Sequence, residues 1–185
     1  MKRTVWCFAL IVVSATTAAS EPVPKLVPPG SAPVIDYQGS TMAMLSDPES
    51  TPSRTAVMTI DLPPRTFGAP PHSHDHEDEQ FYVLEGNVSF LDREQTTSAG
   101  PGTLVVLPRG HVHGFWNETD EPARVLLIVS PGEFATFFDE VVRRIRESAA
   151  ETPEEIGALI ERAAAERGVH IRMDLAPPAA QALLP

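Results

Sequence analysis

Short runs of apolar and β-branched residues, each ended by proline, glycine or a charged turn, dominate residues 55–131 and constrain the fold most. Such runs are typical of β-strands, and their close spacing indicates a β-barrel or β-sandwich. The runs are residues 55–62, 79–84, 88–91, 103–107 and 123–129. The tight turn at residues 85–87 predicts a β-hairpin between the second and third runs. We therefore predict an all-β core over residues 55–131.

The pattern changes after Pro131, where apolar residues recur at helical spacing in two stretches. A second helix is predicted to begin at Thr152, because Pro153 suits the first helical position and Glu155 completes a capping box. Gly168 is a suitable stop. Two C-terminal α-helices are thus predicted within residues 132–170, packed on the outside of the barrel or across a dimer. The apolar positions of the first helix are Phe134, Phe137, Phe138, Val141, Val142 and Ile145.

Residues 1–20 have the features of a secretory signal peptide: basic Lys2 and Arg3, an apolar stretch, and small residues at the end. The apolar stretch is shorter than the roughly 20 residues that span a bilayer, although an uncleaved anchor is the alternative. We expect export to the periplasm or secretion. Cys7 is the only cysteine, so the mature chain would contain neither a disulfide nor a thiolate ligand.

The flanking segments and the net charge complete the organisation. Residues 21–54 are predicted to be a proline-rich N-terminal arm with a short strand at 34–45, and residues 171–185 a flexible tail. The formal net charge is -11, and it becomes more negative when the signal is removed. Nucleic acid and anionic membrane surfaces are therefore excluded as expected partners. A small molecule is the expected partner, and an exposed barrel edge with two amphipathic helices is compatible with a homodimer.

Histidines concentrate between residues 72 and 113. In an extended segment His72 and His74 lie on one face. Glu79 shares its strand face with Phe81 and Val83, so its carboxylate would point into an apolar interior. Burying a lone charge is costly unless the charge is paired or bound to a metal ion. The pattern thus predicts metal ligands at His72, His74 and Glu79.

His113 follows the turn at residues 108–110, where the chain re-enters a strand, and it is the fourth predicted ligand. Three imidazoles and one carboxylate suit a borderline divalent ion, and manganese, iron, nickel, cobalt, copper and zinc all remain open. Four protein ligands would leave one or two positions on the ion for substrate, water or dioxygen.

Two ordered motifs resemble those of the cupin superfamily. Residues 68–86 (GAPPHSHDHEDEQFYVLEG) match the pattern G-x5-H-x-H-x(3,4)-E-x6-G, except that three residues instead of five separate Gly68 from His72. Residues 102–117 (GTLVVLPRGHVHGFWN) match G-x5-P-x-G-x2-H-x3-N in full. The short spacer between the motifs resembles single-domain cupins, and the C-terminal helices resemble those of some quercetin-dioxygenase-like proteins.

This resemblance implies a double-stranded β-helix, or jelly-roll barrel, with one divalent metal ion at the four ligands. It also implies an oxidoreductase, a dioxygenase for a small aromatic or enolisable substrate. Glu79 would then be both a ligand and the catalytic base. Phe81, Val83 and Phe115 share strand faces with the ligands and would line the pocket, unless they only fill the core. Asn117 is predicted to make a turn hydrogen bond.

Three alternatives remain open. A second register pairs His74 with His76 in the H-x-H motif, although Glu79 then follows too closely. The cluster could also be a metal-free or purely structural site. Finally, the barrel could bind a small ligand or a sugar without turnover, or act as a metal-dependent isomerase or decarboxylase, because one fold supports many reactions.

Overall fold

Two antiparallel sheets face each other across one apolar interior in the computed structural model, which describes residues 23–184. The predicted signal at residues 1–20 lies outside the described residues, as does Cys7. In chain order the strands are β1 (Val34–Tyr37), β2 (Ser40–Ser46), β3 (Ala56–Leu62), β4 (Thr66–His74), β5 (Asp78–Glu85), β6 (Val88–Asp92), β7 (Gln95–Ala99), β8 (Leu104–Leu107), β9 (His113–Asn117), β10 (Ala123–Ser130) and β11 (Val169–Ile171).

The strand order confirms the predicted jelly-roll barrel. One sheet has the order β1-β2-β3-β10-β5-β8 and the other β11-β4-β9-β6-β7. Every second residue of the central strands β3 and β10 is buried, because side chains alternate across a sheet. The inward residues of β10 are Val125, Leu127 and Val129, which pack in the shared core.

The predicted hairpin of residues 79–84 and 88–91 is wrong, because β5 and β6 belong to different sheets. The turn at Gly86 carries the chain from one sheet to the other. Gly86 has φ of 67° and lies so close to the start of β10 that a Cβ there would be 2.3 Å from the Pro122 carbonyl oxygen. The glycine therefore forms a barrel corner, and β6 instead forms its hairpin with β7.

The sheet begins earlier than the predicted barrel boundary at residue 55. Strands β1 and β2 form a hairpin within the segment predicted as an arm, and β2 pairs with β3. Gln38 and Gly39 have φ of 48° and 82°, as a type I′ hairpin turn requires. Ile35, Tyr37 and Met42 place their side chains in the core, so this hairpin is part of the barrel.

The two predicted C-terminal helices are present. A 3-10 helix, Gly132–Thr136, leads into α1 (Phe137–Glu147), and α2 spans Pro153–Ala165. The predicted capping box is formed, because the Glu155 amide donates to Thr152 Oγ1 at 3.2 Å and the Thr152 amide donates to Glu155 Oε2 at 3.1 Å. Strand β11 then follows α2 and pairs with β4.

The tail predicted to be flexible from residue 171 contains a 3-10 helix, Met173–Leu175, and a short helix, α3 (Pro178–Gln181). Ala180 and Leu183 pack on Leu91 and Trp116 at the outer face of the five-stranded sheet, where Trp116 is buried. This apolar cover explains why the tail adopts regular structure. Within residues 23–184, no helix is long and apolar enough to cross a membrane.

Candidate metal centre

The four predicted ligands meet inside the barrel from both sheets. His72 and His74 end β4, and His113 begins β9, where it pairs with His72 across the ladder. Glu79 lies near the start of β5 in the opposite sheet. Proline residues 70–71 interrupt the β4–β9 ladder, which shifts register beside them, and both histidines after the shift are buried. Three imidazoles of one sheet thus face one carboxylate of the other.

The ligand atoms converge closely. His72 Nε2 lies 3.0 Å from His74 Nε2, and His113 Nε2 lies 3.0 Å from Glu79 Oε2. His74 Nε2 is 3.8 Å from Glu79 Oε1. One ligand atom from each of the four residues lies within 4.8 Å of the other three. All four side chains are buried, so water cannot compete freely for these atoms.

Each imidazole is oriented by an oxygen at its other nitrogen. The Nδ1 partners are the Pro70 carbonyl for His72 at 2.7 Å, the Glu77 carboxylate for His74 at 3.2 Å, and the His111 carbonyl for His113 at 2.9 Å. These oxygens accept hydrogen bonds, so Nδ1 carries the hydrogen in each neutral ring and Nε2 keeps its lone pair. Such outer partners are typical of metal-binding histidines.

This pattern fits a cation at the centre. The lone pairs of His72 and His74 face each other across 3.0 Å, an arrangement that is repulsive between two neutral acceptors. His113 likewise directs its lone pair at the Glu79 carboxylate. A divalent ion among the four groups would attract all of these lone pairs at once. The cluster can therefore hold a metal ion, and nitrogen and oxygen donors leave several metals open.

The charge states of the ligands suit a metal ion at neutral pH. Burial, with the neighbouring His113, lowers the pKa of His72 from 6.5 to about 3, so its ring is neutral and able to coordinate. Burial alone would raise the pKa of Glu79. The adjacent imidazoles of His113 and His74 outweigh that effect and hold this pKa at about 2. Glu79 is therefore ionised and supplies a compensating negative charge.

The lowered pKa of His72 predicts a pH dependence of stability. Between its ordinary value of 6.5 and about 3, the unfolded chain binds a proton that the folded chain does not. The free energy of unfolding of the metal-free protein should therefore fall as pH falls through this window. Urea unfolding at pH 6.5 and about 5, above the range where most carboxylates titrate, should show the loss. This loss of unfolding free energy should be smaller in His72→Leu. A stability that rises on acidification would contradict the lowered pKa of His72.

Glu77 is the functional candidate that sequence reasoning missed. The acidic residues and His76 within residues 75–78 are typical of a solvated loop at the barrel mouth, yet the Glu77 side chain is buried and bonds to His74. The available signal was strand parity, since Glu77 is two residues before Glu79 and shares its inward direction. Glu77 holds the ring of His74 and fixes which of its nitrogens is free.

Replacement of Glu77 by glutamine should weaken metal affinity about 10- to 100-fold, the usual effect of removing an outer partner of a histidine ligand. Chelator competition would measure it. Asp75→Asn is the matched control, because Asp75 is exposed and bonds to His170 at the surface. Equal affinities of both variants and wild type would show that Glu77 does not support His74.

A small cavity of about 70 Å³ adjoins the cluster. His72 and Glu79 line it, whereas His74 and His113 do not. Of the three predicted pocket residues, Phe81 and Phe115 also line the cavity, with their ring centroids 5.0 Å apart. Val83 is fully buried in the core and is not part of the cavity wall.

The other histidines lie apart from the four ligand atoms. His76 is exposed, so the structure does not support a register that pairs it with His74. His111 bonds to Asp92 at 2.6 Å, near the rim of the barrel. His170 bonds to Asp75 on the surface.

Comparison with known proteins agrees with this architecture. Residues 58–129 match the family model described as "Cupin domain". The barrel has the cupin fold. A polyketide cyclase, RemF from Streptomyces resistomycificus, is similar over 59% of this chain and 80% of its own, with 25% identity and a TM-score of 0.51. KdgF from Halomonas sp. has the same TM-score of 0.51 with 18% identity, over 59% of this chain and 94% of its own, and it shows the fold alone.

One curated relative is germin-like protein 9-2 of Oryza sativa subsp. japonica, with 30% identity over 108 residues. The match covers 55% of this chain and 50% of that protein, so this chain spans about half the length of the relative. The similarity supports the cupin superfamily for the barrel. The finer resemblance to quercetin-dioxygenase-like cupins stays a prediction.

Proposed function

We propose that this protein is a metal-dependent enzyme that removes a proton from a small, enolisable and largely apolar molecule. The observation that carries this proposal is the position of Glu79, an ionised carboxylate that belongs to the ligand cluster and also lines an apolar cavity. A carboxylate so placed can touch both a metal ion and the reacting part of a bound molecule.

The chain's own residues supply most of the chemistry. His72, His74, Glu79 and His113 would hold the ion, which when bound supplies a Lewis acid for negative charge on a substrate oxygen. Glu79 is ionised, and a bound metal ion would make the substrate proton acidic enough for this weak base to accept it. Phe81 and Phe115 exclude water from the cavity and give an apolar surface to the rest of the substrate.

Dioxygenation is our first proposal for the fate of the deprotonated substrate, since an electron-rich enolate is the kind of species that reacts with dioxygen. An apolar cavity that excludes water suits this step. A non-oxidative reaction is the second candidate, and the similarity to a polyketide cyclase favours it. Both begin with removal of a proton by Glu79.

The cavity supports a non-catalytic sugar-binding role less well. Among the described residues, no lysine or arginine lines the cavity, and Tyr37 supplies the one hydroxyl-bearing side chain. Sugar hydroxyls buried there would lose hydrogen bonds to water without replacement, which costs free energy. The wall instead favours a molecule with few polar groups.

The test is oxygen uptake and product analysis on the metal-loaded protein with small 1,3-diketones and catechols. Turnover that requires dioxygen supports a dioxygenase, and turnover under anaerobic conditions supports the cyclase or isomerase class. Glu79→Gln should abolish turnover, whereas Glu85→Gln, at the exposed end of the same strand, should not. A metal-loaded protein without turnover in either atmosphere would contradict the enzyme proposal.

We also propose export and self-association. The leader-like residues 1–20 support export, and mass spectrometry of the N-terminus after expression with the full leader would test cleavage. Tyr82, Leu84, Leu104 and Val106 expose apolar surface on β5 and the edge strand β8, which supports a homodimer. Light scattering of the wild type beside Leu104→Lys would test it, with a monomeric wild type as the contradicting result.

A further inference from the structure

The cavity beside His72 and Glu79 has two walls of different origin. Strands between β1 and β10 form one wall, and the segment of residues 132–171, here called the C-terminal segment, forms the other. The second wall includes Phe134, Phe137, Phe138, Ile160, Ala164 and Val169. This wall lies entirely outside residues 58–129, the part of the chain that matches the cupin domain. It is therefore a feature that the family match does not describe.

The C-terminal segment contacts the candidate metal centre directly. The ring of Phe134 packs edge-on against the ring of His74, with centroids 4.5 Å apart. Phe138 packs on Tyr37 from the barrel at 5.2 Å, and Phe137 on the same ring at 6.3 Å. The helices were expected to lie on the outside of the barrel or across a dimer, but their apolar stripes close the space next to the ligands.

Ion pairs hold the C-terminal segment together. Glu140 of α1 accepts hydrogen bonds from both Arg144 and Arg167, and Arg144 also bonds to Glu166 at 2.6 Å. Arg167 additionally donates to Thr136 Oγ1 at 3.0 Å, before α1. These bonds join α1 to the end of α2, the two helices that supply most of the second wall.

The size and chemistry of the cavity restrict what it can accept. Its volume of about 70 Å³ is well below the roughly 300–1,000 Å³ of usual ligand pockets. The residues that the C-terminal segment contributes are all apolar, and His72 and Glu79 are the metal ligands among the lining residues. A bound molecule would thus meet the polar atoms of these two ligands and hydrocarbon over most of the remaining wall.

We propose that the C-terminal segment selects the substrate, admitting a small molecule with one oxygen-bearing group and a small apolar remainder, and that Ile160 and Ala164 limit the permitted size. The inference rests on the proposed function in one respect, the metal ion at the four ligands. Ile160 and Ala164 carry the proposal because both lie on α2 and line the cavity, whereas their neighbour Leu159 packs on the core without lining it.

The test uses cobalt(II)-loaded protein and two neutral probes, imidazole and 4-phenylimidazole, followed by visible absorption of the cobalt ion. Both probes present the same nitrogen to the metal, and they differ only in the apolar extension. Wild type should bind imidazole in preference to 4-phenylimidazole. In Ile160→Ala the ratio of the two dissociation constants should shift at least about tenfold towards the larger probe, since space for a few carbon atoms has effects of this size.

Three further variants make the result specific. Leu159→Ala removes a similar side chain from the same helix and should keep the wild-type ratio. Ala164→Leu narrows the cavity and should shift the ratio of dissociation constants in the opposite direction, towards imidazole. If Ile160→Ala does not fold, Ile160→Val should give a smaller shift towards 4-phenylimidazole. Normal cobalt spectra with one ratio in all variants would overturn this inference and leave the metal centre intact. A wild type that takes up no cobalt would overturn the proposed function and this inference with it.

Discussion

The His74→Ala variant is expected to bind a divalent ion more than about 100-fold more weakly than the wild type, because it loses a ligand and also leaves the Glu77 carboxylate buried without its partner. His72, His113 and Glu79 would remain, and they offer only three ligand atoms to the ion. Metal affinity measured by chelator competition would give the change directly, and the stabilisation of the fold by added metal should decline in parallel.

His76→Ala is the matched control for this experiment. His76 lies two residues further along the chain and is exposed, so its loss should leave metal affinity within about twofold of wild type, as for surface changes in general. Comparison of the two variants also decides between the two registers of the H-x-H motif. A His76→Ala variant that loses the ion while His74→Ala retains it would contradict the ligand set.

The second large effect is expected at Asn117, whose side chain is fully buried and joins three chain segments. Its Nδ2 donates to the carbonyls of Leu62, Pro63 and Glu121 at 3.3, 2.9 and 2.8 Å. Its Oδ1 accepts from the amide and the hydroxyl of Thr119 at 3.0 and 2.7 Å. Asn117→Ala should lower the free energy of unfolding by about 3 kcal/mol or more, since each buried polar group left without a partner costs about 1–3 kcal/mol.

Urea unfolding of the metal-free protein would measure this loss. Asn87→Ala is the control, because Asn87 sits in an exposed turn, and its replacement should change stability by less than about 0.5 kcal/mol. Asn117→Asp should also be destabilised, since a carboxylate cannot donate to the three carbonyls. An Asn117→Ala variant as stable as wild type would show that the hydrogen bonds do not hold the turn.

The barrel strands and the metal ligands could be predicted from the sequence because their signals are local. The alternation of buried and more exposed residues in β3 and β10 is typical of a sheet with one buried face. The Glu79 side chain points inward on its strand, so its carboxylate requires a partner. The capping box at Thr152 is likewise contained within a few residues. Each of these features depends on neighbours in sequence.

The features that could not be predicted depend on contacts between distant residues. The turn at Gly86 looks like a hairpin, yet the approach of Pro122, far along the chain, makes it a corner between two sheets. The apolar spacing that begins at Phe134 predicts that this segment packs, but not that Phe134 packs against His74. The tail was predicted to be flexible, but it packs on Trp116. This contact could not be predicted, because the outer face of the strand that carries Trp116 could equally have met solvent or another chain.

Glu77 falls between these two cases. Its burial follows from strand parity, but its four acidic or histidine neighbours resemble a solvated loop, and composition favoured that interpretation. A buried acid beside predicted histidine ligands should therefore be considered as a possible partner of a ligand before it is assigned to the surface. The hydrogen bond to His74 gives this residue a role that the motif pattern does not include.

Elemental analysis of the wild-type protein after equilibration with each candidate divalent ion is the decisive test of the metal centre. We expect one bound ion per chain, lost when His72 and His113 are both replaced by alanine, and the preferred metal then guides the choice of reactions to assay. A wild type that retains no more of any ion than this double variant would contradict the metal centre and leave a barrel that binds its ligands without a metal.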